Sequence, residues 1–159
     1  MADDAGDLWR AEIGDLELVV PLFDGYRQFY GLPTNLELCR SYLRDRMRSE
    51  EAVVFLIGRR GREAWGFTQL YPTFSSLQAR RIWVLYDLFV SPDVRHKGLG
   101  RRLMNRARDH AVETGASAIV LSTAKTNLVG QALYESLGYV QDKEFLTYEL
   151  ALPVVPGMA

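Results

Sequence analysis

The sequence contains one cysteine, Cys39, in 159 residues. That excludes a disulfide framework within the chain and any metal site built from several thiolates. Histidines number two, His96 and His110, so a histidine-rich centre lacks ligands and no metal is expected. Charge of one sign is missing too: 19 Lys and Arg face 20 Asp and Glu, for a net charge of −1. Neither nucleic acid nor an anionic membrane is therefore an expected partner. No apolar run approaches the roughly 20 residues that span a bilayer. The acidic start, Met1-Ala-Asp-Asp-Ala-Gly-Asp, has no apolar stretch behind it, unlike a secretory signal. A cytoplasmic protein is expected.

What is present suits one domain. Hydrophobic residues make up 48% and charged residues 25%, which is the composition of an ordinary globular core and surface. Residues 1–7 read as a loose lead-in, 8–151 as the domain and 152–159 as a loose, proline-containing tail. A short strand is expected over Leu8–Ile13. Apolar residues at Leu16, Val19, Val20, Phe23, Tyr26, Phe29 and Tyr30 recur at helical spacing. A second helix is expected over about 35–49, capped by Thr34 or Asn35. Three strand-like runs follow: Ala52–Ile57, Ala64–Tyr71 ended by Pro72, and Arg80–Val90. A helix over about 98–113, a strand over Ala118–Ser122 and a helix over Asn127–Leu137 come next. Tyr139–Gln141 and Phe145–Leu150 are expected to be closing strands. This order predicts an α/β (α+β) fold: a mixed, mainly antiparallel sheet of six or seven strands with about four helices on its two faces.

The most informative stretch is Asp87-Leu-Phe-Val-Ser-Pro-Asp-Val-Arg-His-Lys-Gly-Leu-Gly-Arg-Arg-Leu103. A β-rich strand runs into a basic turn with Gly98 and Gly100, then into a helix. Glycines let the backbone approach a ligand closely, and a helix start favours an anion. Arg95, Lys97, Arg101 and Arg102 add positive charge there. A Walker loop requires Lys-Ser/Thr after the second glycine, but Arg101-Arg102 follow Gly100. A dinucleotide fingerprint requires a third glycine where Leu103 stands. From the glycines alone, a solvated basic helix start remains an equal alternative.

Arg95-His-Lys-Gly98-Leu-Gly100 resembles the Arg/Gln-x-x-Gly-x-Gly/Ala loop of the GNAT superfamily of N-acetyltransferases. Asn127-Leu-Val-Gly-Gln-Ala-Leu-Tyr134-Glu-Ser-Leu-Gly-Tyr139 resembles that family's Asn-to-Gly-Phe/Tyr block, one residue looser in spacing. The match covers about residues 80–150, and the order of elements before it also fits. Two departures stand out. His96 replaces the glycine that often follows the arginine. Tyr86-Asp87 occupies a strand position where polyamine enzymes carry Glu-Asp, so a polycationic acceptor is disfavoured. Otherwise the middle region looks like the branch acting on small amines, such as polyamine and amino-acid acetyltransferases.

The resemblance implies acetyl-CoA as cosubstrate, without a metal. It assigns the pyrophosphate to Arg95, His96, Lys97, Gly98, Leu99, Gly100, Arg101 and Arg102. The backbone of Leu88, Phe89 and Val90 would take pantetheine along an open strand edge. Asn127, beyond capping its helix, and Gln131 would touch CoA. Tyr134 would protonate the departing thiolate, whereas a tyrosine in a helix whose apolar face includes Leu133 and Leu137 is otherwise core filler. Asp87, an acid inside an apolar strand, either pairs with an arginine such as Arg81 or serves the acceptor amine, by binding it or taking its proton. Tyr26, Phe29, Tyr30, Tyr71, Phe74 and Tyr86 are expected to wall the acceptor pocket with Asp87. Cys39 is expected to be inert packing. The implied function is acetyl transfer to a primary amine of a small molecule or peptide by direct attack, in a protein that can form a homodimer. The alternative is a non-catalytic CoA-binding sensor or interaction module, which would keep Arg95–Arg102 and dispense with Tyr134.

Overall fold

The computed structural model describes residues 5–95 and 97–157; His96 lies outside them. The chain divides into two compact units, Met1–Ser122 and Thr123–Ala159.

In the first unit, five strands form one sheet in the order β1-β2-β3-β4-β5. They are β1 (Asp7–Arg10), β2 (Val53–Arg59), β3 (Glu63–Ser75), β4 (Arg80–Val90) and β5 (Ile119–Val120). β1 to β4 pair antiparallel and β5 joins β4 in parallel. β3 runs past Pro72, contrary to the sequence expectation. Pro72 lies opposite Trp83 of β4, while the β2–β3 ladder stops at Val53↔Leu70. The proline therefore stands on a free edge, where its missing N–H costs no ladder bond.

Helices α1 (Leu16–Phe29) and α2 (Leu36–Arg48) cover one face. Their apolar stripes close a core of Val19, Val20, Leu22, Phe23, Cys39 and Leu43 on Val54, Leu56 and Phe67. Asn35 caps α2 by accepting from Leu38 N at 3.0 Å. Buried Asp24 ties the α1–α2 connection down: it accepts from Asn35 N at 2.8 Å, Thr34 Oγ1 at 2.7 Å and Gln28 Nε2 at 2.8 Å. Cys39 is fully buried and its thiol donates to Asp24 at 3.6 Å. Helix α3 (Leu99–Glu113) covers the other face. Its His110 packs on Phe55 and Trp83, with ring centroids 5.4 and 4.8 Å apart.

The second unit holds helix α4 (Leu128–Ser136). Gly138, at φ +90°, follows it. The expected closing strands, 139–141 and 145–150, are not formed among the described residues. A strand requires a partner ladder, and neither segment has one in the sheet. Among the described residues the sheet accordingly has five strands rather than six or seven, with the expected α/β class and four α-helices.

Candidate active site

One irregularity organises the site. Across β3 and β4, Gln69 lies opposite Asp87 but Leu70 lies opposite Leu85. Tyr86 is therefore the extra residue of a β-bulge, and the bulge reverses which side chains of β4 face each way. Before it, Trp83 and Leu85 face α3. After it, Asp87 and Phe89 share the α1–α2 face with their ladder partners Gln69 and Phe67. Thr68 secures the bulge, donating from Oγ1 to the Asp87 carbonyl at 2.9 Å.

Asp87 is 3% exposed. Its Oδ2 accepts from Gln69 Nε2 at 2.6 Å. The Tyr26 hydroxyl donates to the Tyr86 carbonyl at 3.1 Å and lies close enough to this carboxylate to favour its charged form. Burial outweighs both effects and pushes the Asp87 pKa up to about 6 from an ordinary 3.8. Arg81 is not its partner. It precedes the bulge, opposite Phe74 on the α3 face, with its guanidinium 5.1 Å from the Phe74 ring and 5.9 Å from that of Trp83.

Tyrosines surround the carboxylate. The rings of Tyr71 and Tyr86 meet at 5.6 Å, and the hydroxyls of Tyr71 and Tyr42 lie 2.6 Å apart. Burial first, and then the Asp87 charge, raise the pKa of Tyr26 well above 10; burial also raises that of Tyr71. Both therefore act as neutral hydroxyls. Phe29 and Tyr30 form an exposed rim beyond them, Tyr30 meeting Tyr26 at 5.2 Å. Phe74 does not join this group. Strand alternation puts it on the opposite face from Gln69 and Tyr71, under Arg81. Gln69, Thr68 and Tyr42 were not singled out from sequence. The available signal for Gln69 was an amide inside an otherwise apolar run.

The C-terminal half of β4 has one open edge. β4 pairs with β5 only at Trp83↔Ile119 and Val84↔Val120. Among the described residues, Leu88, Phe89 and Val90 thus have a ladder on the β3 side alone. Arg95 folds back on this strand end, donating from Nε to the Val90 carbonyl at 2.9 Å, with its guanidinium 5.6 Å from the Phe89 ring. Gly98 is the N-cap of α3 in the left-handed region, at φ +73°. A Cβ built on it meets nothing within 4 Å, so space is open beside the helix start. Leu99 and Gly100 open the first turn, whose amides have no carbonyl to reach within the helix. Lys97 and Arg101 are exposed nearby. Arg102 is committed elsewhere. Its amide bonds the Gly98 carbonyl at 3.1 Å, and its guanidinium donates to the carbonyls of Ala5 and Gly6. An anion with several oxygens fits this cradle of glycine, first-turn amides and cations.

In the second unit, Asn127 caps α4 by accepting from Gly130 N at 3.1 Å and donates to Thr123 Oγ1 at 3.0 Å. Gln131 Nε2 donates to the carbonyls of Ala124 and Lys125, both at 3.1 Å. Tyr134 is half-buried on α4, its ring 6.1 Å from that of Tyr139. Among the described residues, no cluster of His, Cys, Asp and Glu could hold a metal ion, and no helix is long and apolar enough to cross a membrane.

The model of the acetyltransferase (GNAT) family matches residues 19–139. The uncharacterized N-acetyltransferase YhfO of Bacillus subtilis (strain 168) is 42% identical over 144 residues, covering 91% of this chain and 96% of that protein. A probable acetyltransferase of Haemophilus influenzae is 32% identical over 145 residues, covering 91% and 97%. The crystal structure of a probable acetyltransferase superposes with a TM-score of 0.86 at 37% identity, covering 94% of this chain and 99% of that one.

Proposed function

The chain belongs to the acetyltransferase (GNAT) family and is an N-acetyltransferase; from that premise we propose that it transfers acetyl from acetyl-CoA to a primary amine carrying few positive charges. The observation that carries this reading is Asp87. It is a buried carboxylate without a cationic partner among the described residues, held by the Gln69 amide on a face rich in tyrosine. An ammonium group is the complement of such a carboxylate. Among the described residues of this face Asp87 is the carboxylate offered, since Asp24 is saturated by its own donors.

Bound acetyl-CoA supplies an electrophilic thioester carbonyl and a thiolate leaving group. The amides of Leu99 and Gly100, with Lys97 and Arg101, would hold its pyrophosphate. The open edge of Leu88–Val90 would hold its pantetheine arm and offer an amide to the oxygen that becomes negative during attack. Asp87, with a pKa near 6, is mostly ionised at neutral pH and can still accept a proton, which suits it to binding an ammonium and making it a nucleophile. Tyr134 would donate a proton to the departing sulfur. Asn127 and Gln131 would order the loop 123–127 beside CoA, in keeping with their bonds to that loop. No covalent enzyme intermediate is required. A homodimer and a cytoplasmic setting complete the reading; sedimentation and cell fractionation check them.

Release of free thiol from acetyl-CoA, followed against a panel of amines, tests this. Release that depends on a small monoamine or amino acid supports it. Tight CoA binding with no release for any amine would favour the sensor.

A further inference from the structure

Two tyrosine hydroxyls near Asp87 hold a proton that the fold leaves unused. Tyr42 of α2 and Tyr71 of β3 place their oxygens 2.6 Å apart. Each hydroxyl has one proton to donate, so whichever gives its own to the other, the second O–H remains to be given away. Tyr42 is 36% exposed, so a solute can reach the pair. The pair also lies between two charges. On one side the Tyr71 ring meets that of Tyr86 at 5.6 Å, and Tyr86 adjoins Asp87 in the bulge. On the other side the Arg46 guanidinium stands 5.4 Å from the centre of the Tyr42 ring. The charges of Asp87 and Arg46 both reach the Tyr71 hydroxyl and pull its proton affinity in opposite directions. Phe23 completes the span, its ring stacked 5.5 Å from Tyr42 and 6.3 Å from Tyr26. The result is an aromatic strip with a carboxylate at one end and a guanidinium at the other. A cation in the last turn of α2 suits the helix dipole in any case, and exposed Arg48 supplies one. Arg46 differs: it is half-buried, and Glu51 meets it at Nε, 2.5 Å away. That leaves the fork of Nη groups for another anion.

We propose that this strip reads a second group on the acceptor: Arg46 and the spare proton of the Tyr42–Tyr71 pair bind a carboxylate while Asp87 binds the ammonium, so the acceptor is a free amino acid. The inference rests on the acceptor role given to Asp87 above. A zwitterion matches both ends of the strip. An amine without a carboxylate leaves the guanidinium and the hydroxyl unmatched. A carboxamide or a peptide N-terminus puts a neutral amide there, and a bond to a neutral acceptor is roughly half as strong as one to a carboxylate. The rings of Phe23, Tyr42 and Tyr71 displace water from between the two ends, which strengthens both charge pairings.

The test measures kcat/KM for thiol release with α-, β- and γ-amino acids, each beside its own carboxamide, in wild type and in Arg46→Met. The carboxamide keeps the skeleton and the amine and loses the negative charge. For at least one of the three spacings, wild type should prefer the acid over the amide by at least about tenfold. Arg46→Met keeps an unbranched stem over Tyr42 and removes the charge, and it should lose most of that preference. Comparing the ratio between the two proteins cancels the difference in basicity between acid and amide. An arginine that only steadies the end of α2 would lower both acceptors alike and leave the ratio unchanged. Should Arg46→Met fail to fold by circular dichroism, Arg46→Gln is judged by the same ratio. An unchanged ratio, or a wild type that uses amines without preferring any acid to its amide, overturns the inference and leaves the amine acceptor standing. Wild-type protein that releases no thiol with any amine overturns the underlying reading and this inference together.

Discussion

Asp87 ties activity to a cost in stability. Its carboxyl has a pKa of 3.8 in an ordinary setting and about 6 in the fold. A raised carboxyl pKa means the protonated form stabilises the fold. That stabilisation is complete below about pH 4 and is lost as pH rises through about 6. The difference amounts to roughly 3 kcal/mol at most. Asp87→Asn should therefore raise the unfolding free energy at pH 8, by up to about 3 kcal/mol, and leave it unchanged at pH 4. The same variant should cut acceptor kcat/KM and barely alter CoA affinity, because the carboxylate is assigned to the amine. Denaturation at the two pH values and steady-state kinetics check both. Equal stability of wild type and variant at pH 8 would mean that the buried charge costs nothing. Tyr134 is expected to behave differently. Tyr134→Phe keeps the ring and removes the hydroxyl, so stability should hardly move. Turnover should fall by roughly 10²-fold or more if the hydroxyl protonates sulfur. The deficit should shrink with an acyl donor whose thiol leaves without a proton, and wild-type turnover where chemistry is rate-limiting would make Tyr134 a packing residue.

At the level of elements, the turn into α3 can be separated from its own strain. Gly98 has φ +73° and Gly61 has φ +76°, and a Cβ on either meets no atom within 4 Å. Alanine at each should cost about 1–2 kcal/mol for the left-handed backbone. Gly98→Ala alone should weaken CoA, because its Cβ enters the space assigned to the pyrophosphate. Gly61→Ala, in the β2–β3 hairpin, is the control. Equal CoA affinity in both, by calorimetry, would remove the pyrophosphate from this turn. Gly98 was legible from sequence because a glycine between a β-rich run and a helical pattern has few other uses. The helices α1 to α4 and the long β4 were legible from periodicity. The bulge at Tyr86 was not. Alternation along Arg80–Val90 puts Arg81, Trp83, Leu85 and Asp87 on one face, which made Arg81 a reasonable partner for Asp87. One extra residue reverses that pattern, and nothing in Leu85-Tyr-Asp-Leu announces it. Gln69 was hidden for the same reason, since its importance comes from register with Asp87 across the ladder. Phe145–Leu150 shows the converse: a strand-like pattern that finds no partner in the sheet.

Among the described residues, two buried groups of opposite sign on the two faces of the sheet respond to acid in opposite directions. His110 is 6% exposed and its Nε2 has no partner. Burial holds its pKa below the ordinary 6.5, Arg10 and Arg106 push it further down, and Glu113 offsets them only partly. A lowered histidine pKa means the unfolded chain takes up the proton first. The fold therefore loses stability as pH falls through about 6.5. Asp87 works the other way in an overlapping window, gaining stability as pH falls through about 6. The two contributions thus oppose each other between pH 7 and 5. Asp24 does not disturb this window: burial opposes its charge, but Asn35, Thr34, Cys39 and Gln28 together hold its pKa below 3.8. Removing one group at a time should expose the other. Asp87→Asn should leave a chain that weakens on acidification from pH 7 to 5. His110→Leu, which keeps an apolar group between Phe55 and Trp83, should leave one that strengthens over the same range. Urea denaturation at pH 5, 6 and 7 for the three proteins reads this directly. Parallel pH profiles in wild type and both variants would show that neither group changes its proton affinity on folding, and slopes of the same sign in the two variants would show that one of the assigned directions is wrong.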